Sequence, residues 1–351
     1  MAPSLLSGAF DLPWWGYALA AVALTQVTIA AVTLYLHRNQ THRAVDLHPA
    51  VSHFFRLWLW LTTGMRTREW VAVHRKHHAK CETAEDPHSP QILGINRVLW
   101  GGVLLYVKTA ADPVTVARYG QGTPDDWLER NVYSKYVLFG LTLTGVADVL
   151  LFGIVPGALI FITQIVWIPF WAAGVINGIG HYWGYRNWST EDVSTNIVPL
   201  GILIGGEELH NNHHAYTTSA RFSNHWYEFD LGWMYIRLLQ AAGLASVRHL
   251  PPVPRFSAAG SAPDLQTLQA VIANRHHVLA GYAKALKRIG ALEHEAWRTM
   301  QAMRRELVAL WARSMVSSEH LVMQLQDWCL RAEASGIAPL VAFSRRLRTY
   351  S

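Results

Sequence analysis

Charge is scarce in this chain, and what there is lies unevenly. Asp, Glu, Lys and Arg make up 15% of the 351 residues, against 51% hydrophobic ones, a balance that disfavours an ordinary soluble protein. No Lys or Arg precedes Arg38, and none lies between Lys135 and Arg186. The net charge of +6 is therefore split by basic-free stretches. With no recognisable nucleic-acid motif in the basic C-terminal region, a nucleic-acid partner is not expected. Cysteine is nearly missing too. Cys81 and Cys329 stand far apart and in no metal-binding spacing, which argues against a disulfide framework and a Cys-ligated zinc site. No basic segment precedes the first apolar run, so a cleaved signal sequence is not expected there.

The basic-free stretches are also the most apolar ones. Residues 14–36 suffice to cross a bilayer as a helix rising about 1.5 Å per residue. Residues 136–179 are twice that length and are interrupted by Gly153-Ile154-Val155-Pro156-Gly157, a turn signal that makes a hairpin of two spans. Basic residues mark the cytosolic side, which places residues 38–135 and everything from Arg186 onward in the cytosol. Residues 48–64 and 94–107 are apolar but too short to span, and read as helices lying in the interface. Sixteen Trp suit that interface. The expectation is an all-α integral membrane protein of the inner cell membrane, multi-pass, with about three transmembrane helices plus interfacial helices. Its domain organisation is a membrane domain over 1–250, a Pro- and Ser-rich linker over 251–263, and a helical cytosolic extension over 264–351 with apolar residues at three- and four-residue spacing.

Histidine is what the chain has in excess: eighteen in all. The pattern H-x-x-H-H occurs twice, at His74-Arg75-Lys76-His77-His78 and at His210-Asn211-Asn212-His213-His214. Positions i, i+3 and i+4 of a helix share a face about 100° wide, so three imidazoles can converge on one metal region. A third cluster, His37-Arg38-Asn39-Gln40-Thr41-His42, begins where the first span ends. Its i, i+5 pair lies about 140° apart on an α-helix, a spacing better suited to a helix end. His181 follows the last span and by position belongs with the others. All of them fall on the cytosolic side of the expected topology. Packed together without metal, so many imidazoles would be an unexplained cost, because ligation is what their neutral form serves. Eight or nine nitrogens exceed the needs of a single ion, as zinc takes four, so two metal ions are implied. Imidazole suits Zn, Cu, Fe and Ni alike, and spacing does not choose among them. His48, His53, His88, His225 and His249, and His276, His277, His294 and His320 of the extension, show no repeated ligand spacing and read as non-ligands.

The motifs together resemble the membrane fatty acid desaturase family, in particular Δ9 acyl desaturases of the stearoyl-CoA type and their bacterial acyl-CoA or acyl-lipid relatives. The resemblance rests on His37 to His42, on Trp70-Val71-Ala72-Val73-His74 through His78 leading to Asp86-Pro87-His88-Ser89, on Asn177-Gly178-Ile179-Gly180-His181, and on Glu207-Glu208-Leu209-His210 through His214. It covers about residues 15–230. It implies a cytosolic di-iron site on His37, His42, His74, His77, His78, His181, His210, His213 and His214, with Asn177 completing one iron's sphere through a water. It implies that O2 and two electrons remove two hydrogens from unactivated methylenes of a fatty acyl chain, on CoA or phospholipid, leaving a cis double bond and two waters. Trp70 falls where the family shapes its acyl tunnel. The family's animal members have two spans before the first histidine pair, and this chain has one. No His-Pro-Gly-Gly motif of a fused cytochrome b5 is present, so the electrons are expected from a separate donor, a ferredoxin or rubredoxin-like carrier with its reductase. The basic cytosolic residues suit steering of an acidic carrier and attraction to anionic lipid equally.

Two other functions compete. A histidine-box hydroxylase acting on alkanes, carotenoids or sterols would share the iron chemistry and yield an alcohol. A metal transporter or sensor would place ionisable residues inside the spans, where this chain offers Thr, Gln164 and Asp148, the last being the one charged side chain there. Bond position and acyl carrier are not written in the spacing.

Overall fold

The computed structural model describes residues 8–258, 260–288, 294–311 and 317–351. Ala259 of the expected linker, and residues 289–293 and 312–316 of the expected extension, lie outside them. The chain is mostly helical and divides into two compact units, residues 1–186 with 190–251, and residues 187–189 with 252–351.

In the first unit two helices are long and apolar enough to cross a membrane, Trp14–Thr41 and Ile154–Ile179, and Val137–Phe152 is a shorter apolar helix. Among their outward side chains Leu19, Val22, Leu138, Leu150, Leu159 and Val166 are all exposed, apolar groups of the kind that meet lipid. The expected five-residue turn between 153 and 157 contracts to one residue. Val137–Phe152 ends and the next helix begins at Ile154, with Gly153 between them at φ 88°. That left-handed value is open to glycine and costly for other residues, so the backbone reverses in a single step.

The Ile95–Ala110 helix packs against residues 169–176. A side chain at Gly102 would run into the carbonyl of Ala173, so glycine here sets how closely the backbones approach. The Pro49–Thr62 helix lies against Val137–Phe152 and against the end of the first helix. Its buried Arg56 donates to both oxygens of Asp126, at 2.6 and 2.9 Å, and to Glu129 at 3.1 Å.

Arg38 and Asp230, both fully buried, join at 2.8 Å. The same guanidinium donates to the carbonyls of Ala220 and Gly205 and lies 3.8 Å over the Phe222 ring. One side chain from the end of the first helix thus holds the segments on either side of residues 210–215. Removing one partner of such a pair would leave an uncompensated buried charge, at a cost of about 3–5 kcal/mol. Short pairings complete this unit: Val45–Leu47 with Ala245–Val247, antiparallel, and Leu200–Gly201 with Phe229–Asp230, parallel.

The second unit is a helical bundle of Leu265–Ala273, Arg275–Leu286, His294–Trp311, Ser318–Ala334 and Ala338–Leu347. Tyr282, Trp328 and Phe343 meet at its core with Leu268, Leu307 and Leu325. Asp264 and Ser317 accept from backbone N–H groups at helix starts, satisfying donors that the helix leaves unpaired. His276 is buried in this bundle, and the His277 ring lies 4.7 Å from that of Trp188.

Candidate metal centre

Residues 31–41 continue the first helix as π-helix, and this resolves the awkward spacing of His37 and His42. A π-helix closes its hydrogen bonds from i to i+5, and the His42 amide donates to the His37 carbonyl at 3.1 Å. The two imidazoles therefore face the same way, with their Nε2 atoms 3.1 Å apart. From the Thr67–Lys80 helix, His74 and His78 project one turn apart, Nε2 to Nε2 3.1 Å. His213 comes from the short helix His210–Ala215. Together, ligand atoms of His37, His42, His74, His78 and His213 lie within 4.8 Å of one another.

The Nε2 separations test whether a metal fits. They run 2.8 Å for His37–His74, 3.0 Å for His78–His213 and 3.2 Å for His37–His213. Metal–nitrogen bonds of about 2.0–2.1 Å put neighbouring ligand nitrogens about 3 Å apart. The spacing suits several donors around one ion.

A second group comprises His77, His181, His214 and Cys81, again within 4.8 Å. Nε2 of His77 lies 3.2 Å from that of His181, which is 3.1 Å from Nε2 of His210. Nε2 of His214 is buried without a hydrogen-bond partner. Two groups of donors fit the two ions that the nitrogen count calls for. Cys81, expected to stand outside any metal-binding spacing, lies beside these histidines. The relevant spacing runs to the histidines rather than to Cys329: His74, His77, His78 and Cys81 stand at i, i+3, i+4 and i+7, one stripe of the helix.

Four carboxylates back the imidazoles. Nδ1 of His37 meets Glu207 at 2.6 Å, that of His77 meets Asp86 at 3.0 Å, that of His214 meets Asp192 at 3.0 Å, and that of His181 meets Glu82 at 3.3 Å. A carboxylate accepting from Nδ1 fixes the tautomer and ring angle and leaves Nε2 as the metal-facing donor. Glu82 reaches its place through a left-handed backbone, φ 60°, directly after Cys81, and it also accepts from the Val193 amide. Asp86 and Glu207 sit in quoted motifs, but no sequence signal paired any of the four with its imidazole, because the pairings are tertiary. His88, read as a non-ligand, is buried with its ring 4.3 Å from that of His77.

Burial, and then the neighbouring imidazoles, hold His74, His78, His210 and His213 well below the ordinary value of 6.5. Burial takes His214 down to about 3 against the opposing pull of Asp192. These rings are neutral, as ligation requires. Burial pushes Glu207 up to about 8. Asp86 and Asp192 are raised by burial, but their histidine partners outweigh it and hold both below the usual carboxylate range.

A cavity of about 220 Å³ opens onto this cluster, walled by His37, His74 and His210 and by aliphatic side chains such as Val32, Val103, Ile168 and Ile176. Trp70 lines it and stacks nearly parallel on His74, ring centres 5.1 Å apart. Asn177 lines it too, directly after the π-helical stretch 169–176. Asn177 is a wall residue of this cavity along with His37, His74 and His210, and the nine expected histidines come together.

Residues 12–251 match the profile of the fatty acid desaturase family. Delta-9 acyl-lipid desaturase 1 of Arabidopsis thaliana is 31% identical over 256 residues, covering 69% of this chain and 78% of the relative. Delta-9 desaturase-like 3 protein of the same plant is 32% identical over 250 residues, covering 69% and 79%. Acyl-CoA 5-desaturase AL21 of Anemone leveillei is 30% identical over 259 residues, covering 70% and 75%.

Proposed function

The chain belongs to the fatty acid desaturase family, and from that premise we propose that it inserts a cis double bond at the Δ9 position of a saturated acyl chain at a di-iron centre. The observation that carries this reading is the apolar cavity ending on His37, His74 and His210, within a set of convergent imidazoles that forms two donor groups. His37, His42, His74, His78 and His213 would hold one iron. His77, His181, His210 and His214 would hold the other, with Asn177 acting through a water. Iron bound there supplies dioxygen activation strong enough to oxidise an unactivated methylene.

The chain's own residues supply the rest. Glu207, Asp86, Asp192 and Glu82 keep Nδ1 occupied and Nε2 free. Aliphatic walls take up the acyl chain and exclude water, so that two adjacent methylenes lie against the centre. Trp70 holds His74 flat against the cavity wall. The overall change is –CH2–CH2– + O2 + 2 e− + 2 H+ → –CH=CH– + 2 H2O, with the electrons delivered by a separate carrier of the ferredoxin or rubredoxin-like kind. Three crossings, Val137–Phe152 being the third helix, put this site on the cytosolic face of the inner cell membrane.

The test is lipid analysis of cells whose own desaturase is deleted and which express this chain. A new Δ9 monounsaturated chain, found on CoA or on phospholipid, supports the proposal. Hydroxylated chains with no new alkene would replace it with the hydroxylase.

A further inference from the structure

The thiol of Cys81 lies in the second donor group, 4.0 Å from the metal-facing Nε2 of His77 and 3.9 Å from Nδ1 of His181, the ring nitrogen that also faces Glu82. We infer that Cys81 is a sulfur ligand of the second metal position, beside His77, His181 and His214. The inference rests on the two-position reading above and extends it beyond an all-imidazole centre.

Three observations carry it. The first is placement: Cys81 caps the Thr67–Lys80 helix and falls one turn past His77 on the same stripe, so the helix that presents imidazoles also presents the sulfur. The second is distance. Metal–sulfur and metal–nitrogen bonds of about 2.3 and 2.0–2.1 Å separate S from N by about 3.1–3.6 Å between right-angled and tetrahedral arrangements, and the observed 4.0 Å from the sulfur to Nε2 of His77 needs a modest closure. The third is the orphaned nitrogen. The His214 side chain is 2% exposed, its Nδ1 is taken by Asp192, and its Nε2 has no hydrogen-bond partner within the same 4.8 Å group. A buried acceptor left open beside a thiol and two further imidazoles is a site shaped for a cation.

The carboxylates fit this reading. Glu82, Asp86 and Asp192 surround the group, each held by one of its imidazoles. Ligation breaks the S–H bond, forms the metal–sulfur bond and releases the proton to solvent, which partly exposed Cys81 can reach. Sulfur is a softer, more electron-donating ligand than imidazole, so the second position would differ electronically from the first.

The experiment is cobalt(II) titration of the purified full-length chain, read by absorption and by metal count. The expected result is two cobalt ions per chain with a near-ultraviolet sulfur-to-cobalt charge-transfer band. Cys81→Ser should remove the band and weaken the second cobalt about tenfold or more, while Cys329→Ser, in the other unit, leaves both unchanged. Cys81→Ala serves if the serine variant fails to fold, and the wild-type spectrum needs no variant at all. Two bound cobalt ions without the band would overturn the sulfur ligand and leave the two-position reading standing. Fewer than two would overturn both.

Discussion

Five imidazoles make up the first donor group, and one of them, His37, has a carboxylate on its far nitrogen; the second donor group sets three imidazoles beside a thiol, and His77, His181 and His214 each lean on a carboxylate of their own. The difference follows from what carries the ligands. His37, His42, His74 and His78 stand on two long helices whose turns set their directions. His181 hangs just past the end of a helix, in the loop segment that follows Ile179, and His214 on a helix of six residues. A hydrogen bond to a carboxylate aims a ring that regular structure leaves free, as at His181 and His214. The contrast is one of degree: His77 has its carboxylate although it stands on a long helix, and His213 stands on the short helix with its Nδ1 unpaired.

The comparison can be broken most severely at the ligands. His213→Ala, at the first position, and His77→Ala, at the second, should each abolish desaturation, as lipid analysis of expressing cells would show. Next in size is the buried pair that anchors the first position. Asp230→Ala should lower stability by about 3–5 kcal/mol, whereas breaking the exposed Arg248–Asp46 pair should change it little, solvent screening the pair; thermal unfolding separates them. Smaller and more telling are the carboxylates. Asp192→Asn should weaken metal retention about 10- to 100-fold at the second position, while Glu207→Gln should act on the first alone.

Acid gives a graded version of the same test. In the folded chain His74, His78, His210, His213 and His214 have depressed values, so the unfolded chain binds more protons once the pH drops below about 6.5. Their contribution to stability is full above that value and is lost as pH falls toward about 3, where His214 titrates. Metal release followed on acidification should track that window. The smallest effect is expected at His276→Ala in the C-terminal bundle, which should change neither iron content nor activity.

How much of this was legible in the sequence depends on which period wrote it. That His74, His77 and His78 share a face follows from helical spacing alone, and the long apolar stretches announced helices fit for a bilayer. His37 and His42 looked splayed because α-helical geometry was assumed; the π-helix that aligns them has no hydrophobic periodicity of its own. Cys81 was measured against the other cysteine instead of against the histidine stripe that it continues. Glu82, Asp192 and Glu207 could not be matched to their imidazoles, since those contacts join residues far apart in sequence or belong to different turns. The hairpin signal spread over five residues where Gly153 does the turning, because Pro156 and Gly157 fit within the first turn of the next helix.

The central claim is a centre of two positions, and iron counting on the purified chain tests it most directly. The account predicts two iron ions per chain in the wild type and a loss of iron in both His77→Ala and His213→Ala. A wild-type chain that retains no iron, or variants that keep the full two, would contradict it.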